Sequence, residues 1–239
     1  MPTSSTCGAS MTEELPIGPP VAPFTPRLPQ RVTLHGRFAS VEPIDPERHG
    51  PELYTVIKNA EPAMWTYMAV GPFASERDFL DWLTPQREIA DPLAFAVTVY
   101  GRALGMACLL RIEPQWATCE VGAIWYAPAL KQTPASTEAM YLLAQYVFED
   151  LGYRRYEWKC DALNAASRRT AERLGFSYEG LLRQHMVYKG RNRDTAWYAM
   201  TDADWPAIKT AFETWLRPDN FEENGRQWTP HQRLRTGPG

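Results

Sequence analysis

The sequence predicts an α/β (α+β) domain built on a mixed, mainly antiparallel sheet flanked by helices. Three observations carry this. "LAFAVTVYGRALGMACLL" sets two apolar, β-rich runs around Tyr100, Gly101 and Arg102, a hairpin signal. "TPASTEAMYLLAQYVFEDLG" repeats Met140, Leu143, Val147 and Leu151 at helical spacing. "FSYEGLLRQHMVYKGRNRDTAWYAM" reads as a second, longer hairpin with Gly190 and Asn192 at its turn. Both periodicities in one chain imply helices laid against a sheet.

The elements follow in order. Residues 1–30 are rich in Pro, Ser and Thr ("PIGPPVAPFTPRLPQ") and read as a flexible arm, extended or mobile. Residues 31–216 read as a single domain. "RVTLHGRFASVEPI" is extended, and "PERHGPELYTVIKNA" is a helix. In "SERDFLDWLTPQREIA", Ser75 stands three residues before Asp78, an N-cap signature. After the first hairpin, "ATCEVGAIWYAP" adds a strand that Pro128 ends. Gly152 closes the next helix. "RRYEWKC" is a strand, 165–174 a helix, and the second hairpin follows. Residues 217–239 are polar, with Gly and Pro, and read as a tail whose "WLRPDNF" can tuck its aromatics onto the body.

Composition excludes several classes. A net charge of −3 gives no global electrostatic case for nucleic acid or an anionic membrane. No apolar run approaches the roughly 20 residues of a membrane span. "MPTSSTCGASMTEELP" has neither the basic start nor the apolar core of a secretory signal. Cys7, Cys108, Cys119 and Cys160 form no close pair, so neither a disulfide framework nor a zinc site is expected, and a reducing, cytoplasmic setting is. His35, His49, His185 and His231 show no ligand spacing, and no metal is expected.

Chemistry is expected where a strand feeds a helix, because the helix start exposes N–H groups and the positive dipole end. "YAPALKQTPASTEA" is such a junction. Thr133 suits the N-cap and Pro134 the first helical position. The amides of Ala135, Ser136 and Thr137 then point outward, with two hydroxyls and Lys131 beside them. The same residues also make an ordinary capped helix that binds nothing. Asn164 likewise suits the cap of the 165–174 helix, where Ser167 lies one turn in.

"CEVGAIWYAP", the loop, "STEAMYLLAQYVFEDLGYRRYEWKCDALNAASRRTAERLGFSYEGLLRQHMVYKGRNRDTAWYAM" and "DADW" together resemble the GNAT acyltransferase superfamily, and within it the RimJ/RimL-like N-acetyltransferases. The resemblance covers roughly 32–206 and is firmest over 119–205. It implies a splayed strand pair that holds acyl-CoA, with the pyrophosphate on the N-terminus of the helix after the splay. The family's Gln/Arg-x-x-Gly-x-Gly/Ala loop falls on Lys131, Gln132, Thr133, Pro134, Ala135 and Ser136. Pro134 departs from it, replacing a Gly and removing a donor. The resemblance places Asn164 against the pantetheine or adenosine-side backbone, and Ser167 near the CoA sulfur as a proton donor. It allows Arg168, Arg169 and Arg173 to meet the 3′-phosphate from an outer helix face.

The implied reaction moves acetyl directly from acetyl-CoA to a primary amine, on a protein N-terminus or a small molecule. A base takes the amine proton. Backbone N–H groups near Ile124–Tyr126 stabilise the carbonyl oxygen. Glu120 is the first candidate base: strand alternation puts it on the face of Gly122 and Ile124. His185 is the second. The related branch places a carboxylate near His185, but Met186 is the neighbour here. Glu179 and Asp194 are expected to order the acceptor side. Trp65, Tyr67 and Trp125 either line the pocket or pack the core. Cys119 and Cys160 read as buried strand cysteines rather than nucleophiles. A homodimer fits the family habit. Pro134 and Met186 keep a second reading open, a catalytically silent GNAT-like domain that binds a ligand or partner.

Overall fold

The computed structural model describes residues 15–222, 227, 229 and 231. Eight strands form one sheet in the order β1-β2-β3-β4-β5-β6-β8-β7. They are β1 (Leu34–His35), β2 (Ser40–Pro43), β3 (Leu93–Val99), β4 (Arg102–Glu113), β5 (Thr118–Tyr126), β6 (Arg155–Asp161), β7 (Ser177–Tyr188) and β8 (Arg191–Thr201). Neighbours are antiparallel except β5 and β6, which are parallel. The helices are α1 (Pro46–Ile57), α2 (Glu76–Leu83), α3 (Pro134–Gln145), α4 (Ala165–Leu174) and α5 (Trp205–Trp215).

Local chemistry explains most boundaries. Asp45 caps α1 by accepting from the amides of Glu47 and Arg48. Ser75 caps α2 by accepting from the Asp78 amide. Asn164 caps α4, and Gly175, in the left-handed region at φ +110°, ends it. The wide apolar stripe of α3 continues through a π-helical turn at Tyr146–Asp150. The turn of the second hairpin falls on Lys189 and Gly190; Asn192 lies inside β8 rather than in the turn. Helix α5 has no counterpart in the sequence reading, although Trp205, Ile208, Phe212 and Trp215 recur at helical spacing and are buried.

Alternation along the strands splits the core in two. On one face Val97, Leu109, Cys119, Val121, Tyr156 and Trp158 pack under α3, α4 and α5. On the other, Ala96, Met106, Cys108 and Trp125 pack against α1 and α2 through Leu53, Ile57, Phe79 and Leu83. The face of β6, β8 and β7 beyond α1 and α2 carries charged side chains instead.

The segments outside the regular elements are also attached. Arg27 donates its amide to the Leu151 carbonyl at 2.9 Å. Phe221 packs edge-on against Trp215 and Phe38. His231 is buried against Phe212.

Candidate active site

The register of β5 and β6 creates the central feature. The two pair from Thr118↔Arg155 to Val121↔Trp158 and then part. Beyond Val121, β5 stays on β4 while Lys159, Cys160 and Asp161 stay on β8. The pairing of β5 with β4 jumps from Cys108↔Gly122 to Met106↔Trp125. Ala123 and Ile124 therefore oppose a single residue, and Ala123 takes φ +50°. Such a bulge bends the strand and re-aims its backbone groups. A non-glycine residue at positive φ marks local strain. The bulge takes Ile124 off the face of Glu120 and Gly122, against the expectation from simple alternation: Ile124 and Tyr126 pack, partly buried, against the α3-side core, and Trp125 is buried in the α1–α2 core.

The chain crosses from β5 to α3 through Gln132, also left-handed at φ +60°. Thr133 accepts from the Ser136 amide at 3.2 Å, and Ser136 Oγ accepts from the Thr133 amide at 3.3 Å, a reciprocal capping box. This alters the sequence expectation of two hydroxyls presented outward. Ser136 Oγ is engaged in the cap and also donates to the Thr133 carbonyl at 2.8 Å. Thr137 is buried and accepts from Arg173 Nη1 at 3.2 Å. Arg173 therefore bridges α4 to α3 rather than standing on an outer face. Ala135 lies in the first turn outside the capping box, and Lys131 is exposed beside it.

Across the opening, Asn164 Oδ1 accepts from the Ser167 amide at 3.0 Å. Ser167 Oγ accepts from the Trp158 indole N–H at 3.0 Å. Cys160 is buried beside it, and burial pushes its thiol up, with the Ser167 hydroxyl pulling the other way. Cys119 is buried too, and its thiol is pushed up by burial, then by Glu157 and Glu120. Both cysteines are thus kept as thiols, as the sequence reading expects.

Glu120 and His185 sit on the charged face. Glu120 is 5 % exposed. Its Oε2 meets Lys159 Nζ at 3.1 Å and Arg111 Nε at 2.9 Å. Burial pushes its carboxyl up, Lys159 and Arg111 pull it down, and the balance is upward. His185 Nδ1 lies 2.9 Å from Thr195 Oγ1, which also accepts from Arg193 Nε at 3.1 Å. Burial, then Arg111, Arg193 and Lys159, push the imidazole down, so it is neutral near pH 7. Glu179 is held by Arg155 at 2.5 Å, and Asp194 accepts from the Gln184 amide at 2.7 Å.

The hairpin tip meets the segment after α1. Lys189 Nζ donates to the Trp65 carbonyl at 2.9 Å, and the Tyr67 hydroxyl donates to the Leu163 carbonyl at 3.2 Å. Tyr188 donates to the buried Asp161 carboxylate at 2.9 Å, and burial and this contact push its hydroxyl up to about 12. Trp65 is buried against Phe73, so it packs the core. Sequence reasoning missed Lys159, Asp161, Tyr188 and Lys189. The charged alternation of Glu157, Lys159 and Asp161 in "EWKCD" was the available signal.

Sheet, splay and capped helix together define an acyltransferase of the GNAT class. The family model for the acetyltransferase (GNAT) domain matches residues 41–177. The chain belongs to that family. It is similar to a GCN5-related N-acetyltransferase from Brucella melitensis: 44 % identity, 89 % of this chain and 98 % of that one covered, TM-score 0.86. It is 27 % identical over 186 residues to YdaF, a candidate ribosomal N-acetyltransferase of Bacillus subtilis (strain 168), covering 75 % of this chain and 98 % of the relative. The fold also matches a microcin C7 self-immunity acetyltransferase solved with acetyl-CoA and AMP: 21 % identity, 70 % and 93 % covered, TM-score 0.63. Among the described residues, no helix is long and apolar enough to cross a membrane.

Proposed function

We propose that this enzyme transfers acetyl from acetyl-CoA directly to a primary amine on a protein N-terminus or a small molecule. The splay of β5 from β6, with the start of α3 at one end and Ser167 on the far side, is the observation that carries the reading. It suits a thioester threaded between two strands. The pyrophosphate would lie at the start of α3 on the Ala135 amide and Lys131. Thr133, Ser136 and Thr137 shape that turn rather than lend their hydroxyls. Asn164 would flank the pantetheine.

The chemistry needs two proton movements and no covalent enzyme intermediate. The neutral amine attacks the thioester carbon. The oxygen gains charge beside the backbone of Ile124–Tyr126. The C–S bond breaks as the C–N bond forms. Glu120, through its raised proton affinity, takes the proton from nitrogen. Ser167 gives a proton to the leaving sulfur and regains one from solvent as Glu120 releases the amine proton to it, so the enzyme ends as it began. His185 is the alternative base. The amine enters between the Trp65–Val70 segment and the β7–β8 hairpin, which Lys189 ties together, while Tyr67 ties the same segment to the turn before α4. We further propose a cytoplasmic protein that binds no nucleic acid or membrane and pairs as a homodimer.

Calorimetric titration with acetyl-CoA, with desulfo-CoA and adenosine diphosphate as controls, tests the first step. Micromolar binding followed by CoA release with an amine panel is expected. No binding at millimolar acetyl-CoA would sink the reading. Binding without turnover across peptides, amino acids and polyamines would favour the silent domain.

A further inference from the structure

The charged face of β5 and β6 holds a buried ammonium between two carboxylates. The Lys159 side chain is 4 % exposed, with Nζ 2.6 Å from Glu157 Oε2 and 3.1 Å from Glu120 Oε2. The Trp197 ring backs it at 3.6 Å. Carboxylates and ring leave the ammonium no free side, so it is neither a site for an anionic ligand nor a nucleophile. Arg155 Nε holds the other oxygen of Glu157 at 2.6 Å.

Both cations on Glu120, Lys159 and Arg111, sit on Oε2. The other oxygen points along the strand: a Cβ built at Gly122 would stand 3.1 Å from Oε1. Gly122 is the first residue past the last β5–β6 pair, so Oε1 lies beside the start of the opening. We propose that Lys159 is the positioning residue of the general base: it anchors Oε2 so that Oε1 stays beside the start of the opening, and its division between Glu157 and Glu120 sets how readily Glu120 takes a proton. This rests on the reading of Glu120 as the base.

The groups facing the pair are few. Arg111 comes from β4, with its amide held by Asp91 at 2.9 Å. Glu157 and Lys159 come from β6, and Arg155 from the same strand holds Glu157. His185 on β7 and Arg193 on β8 share Thr195 beyond them. Burial opposes the Glu120 charge, Lys159 and Arg111 favour it, and Glu157 opposes it. Removing Lys159 and removing Glu157 must therefore move Glu120 in opposite directions. A merely structural ion cluster would show the same opposition at Glu120 but leave the acid limb of kcat/KM where it is.

The test is a carbon-13 NMR titration of the glutamate carboxyls of the full chain, with Glu120 assigned by Glu120→Gln. Lys159→Met should raise the Glu120 midpoint by about one unit or more. Glu157→Gln should lower it, and Lys159→Arg should restore it. The acid limb of kcat/KM for acetyl transfer to an amine should follow the same shifts. Midpoints that stay put, or that move the same way in both variants, or an acid limb that stays where it is, overturn the proposal. Should Lys159→Met fail to fold, Glu157→Gln still decides, since it strands no buried cation. Glu120→Gln that keeps full turnover overturns the base reading and the proposal with it. Loss of turnover in that variant with unmoved midpoints overturns the proposal alone.

Discussion

Ser167 Oγ accepts a hydrogen bond from the Trp158 indole N–H, which leaves its own hydroxyl proton to be given elsewhere. Its neighbour on the strand is Cys160, and a CoA sulfur in the splay would compete for the same donor. Ser167→Ala should lower kcat by about 100-fold, at the lower end of general acid contributions, and change the acetyl-CoA Kd far less. Steady-state kinetics beside calorimetry measures both, and unchanged turnover removes Ser167 from the chemistry. His49 makes a different prediction. It is buried, and its Nδ1 accepts from the Asp45 amide at 3.1 Å. Burial, then Arg48, holds the imidazole below the ordinary 6.5. The unfolded chain therefore binds the proton first. Its contribution to stability is whole above 6.5 and is lost as the pH falls toward the lower folded value. Denaturant unfolding from about pH 7 to about pH 5 should show stability falling, and His49→Gln should flatten that slope. An equal slope in the variant would place the acid sensitivity in the carboxylates.

Helix α3 begins in a capping box with Pro134 at its first position, so the turn is preset even where the family pattern has Gly. Thr133→Ala should cost about 1 kcal/mol of unfolding free energy and weaken acetyl-CoA binding. Pro134→Gly should leave the Kd within a few fold, and tighter binding would show that the missing amide matters. Elements with local signals were legible: α4 runs between Asn164 and Gly175, and α2 follows Ser75, because caps act on their own turn. The splay was available only through family resemblance, since it depends on which strands pair. Helix α5 could have been read from Trp205, Ile208, Phe212 and Trp215, whose spacing is as regular as that of α3. The roles of Lys159 and Tyr188 come from cross-strand neighbours, so no motif in one stretch shows them. Ser136 and Thr137 misled for the same reason, because a side chain's partner, and not its type, decides where it points.

At the scale of the molecule, distant segments brace the two helices that flank the splay. Glu138, buried in the second turn of α3, accepts from the amides of Arg37, Phe38 and Ala39 at 2.6–2.9 Å. One carboxylate thereby ties the β1–β2 turn to α3, and Glu138→Ala should destabilise the fold by about 3 kcal/mol or more. The residues after α5 brace the other side. Asn220 donates to the carbonyls of Trp215 and Thr229 and accepts from the Thr229 amide at 2.9 Å. His231 then sits over Phe212 with Nδ1 2.9 Å from the Arg173 carbonyl. Arg173 reaches from α4 to Thr137 in the first turns of α3. The C-terminal segment thus bears on the α3–α4 contact, the CoA end of the proposed site, and not on the hairpin tip, its proposed amine end. Asn220→Ala should lower stability by about 1–3 kcal/mol through unpaired buried groups. At a temperature where the variant stays folded, it should raise the KM for acetyl-CoA more than the KM for the amine. Equal effects on both would mean that the segment supports the fold as a whole rather than the nucleotide end of the site.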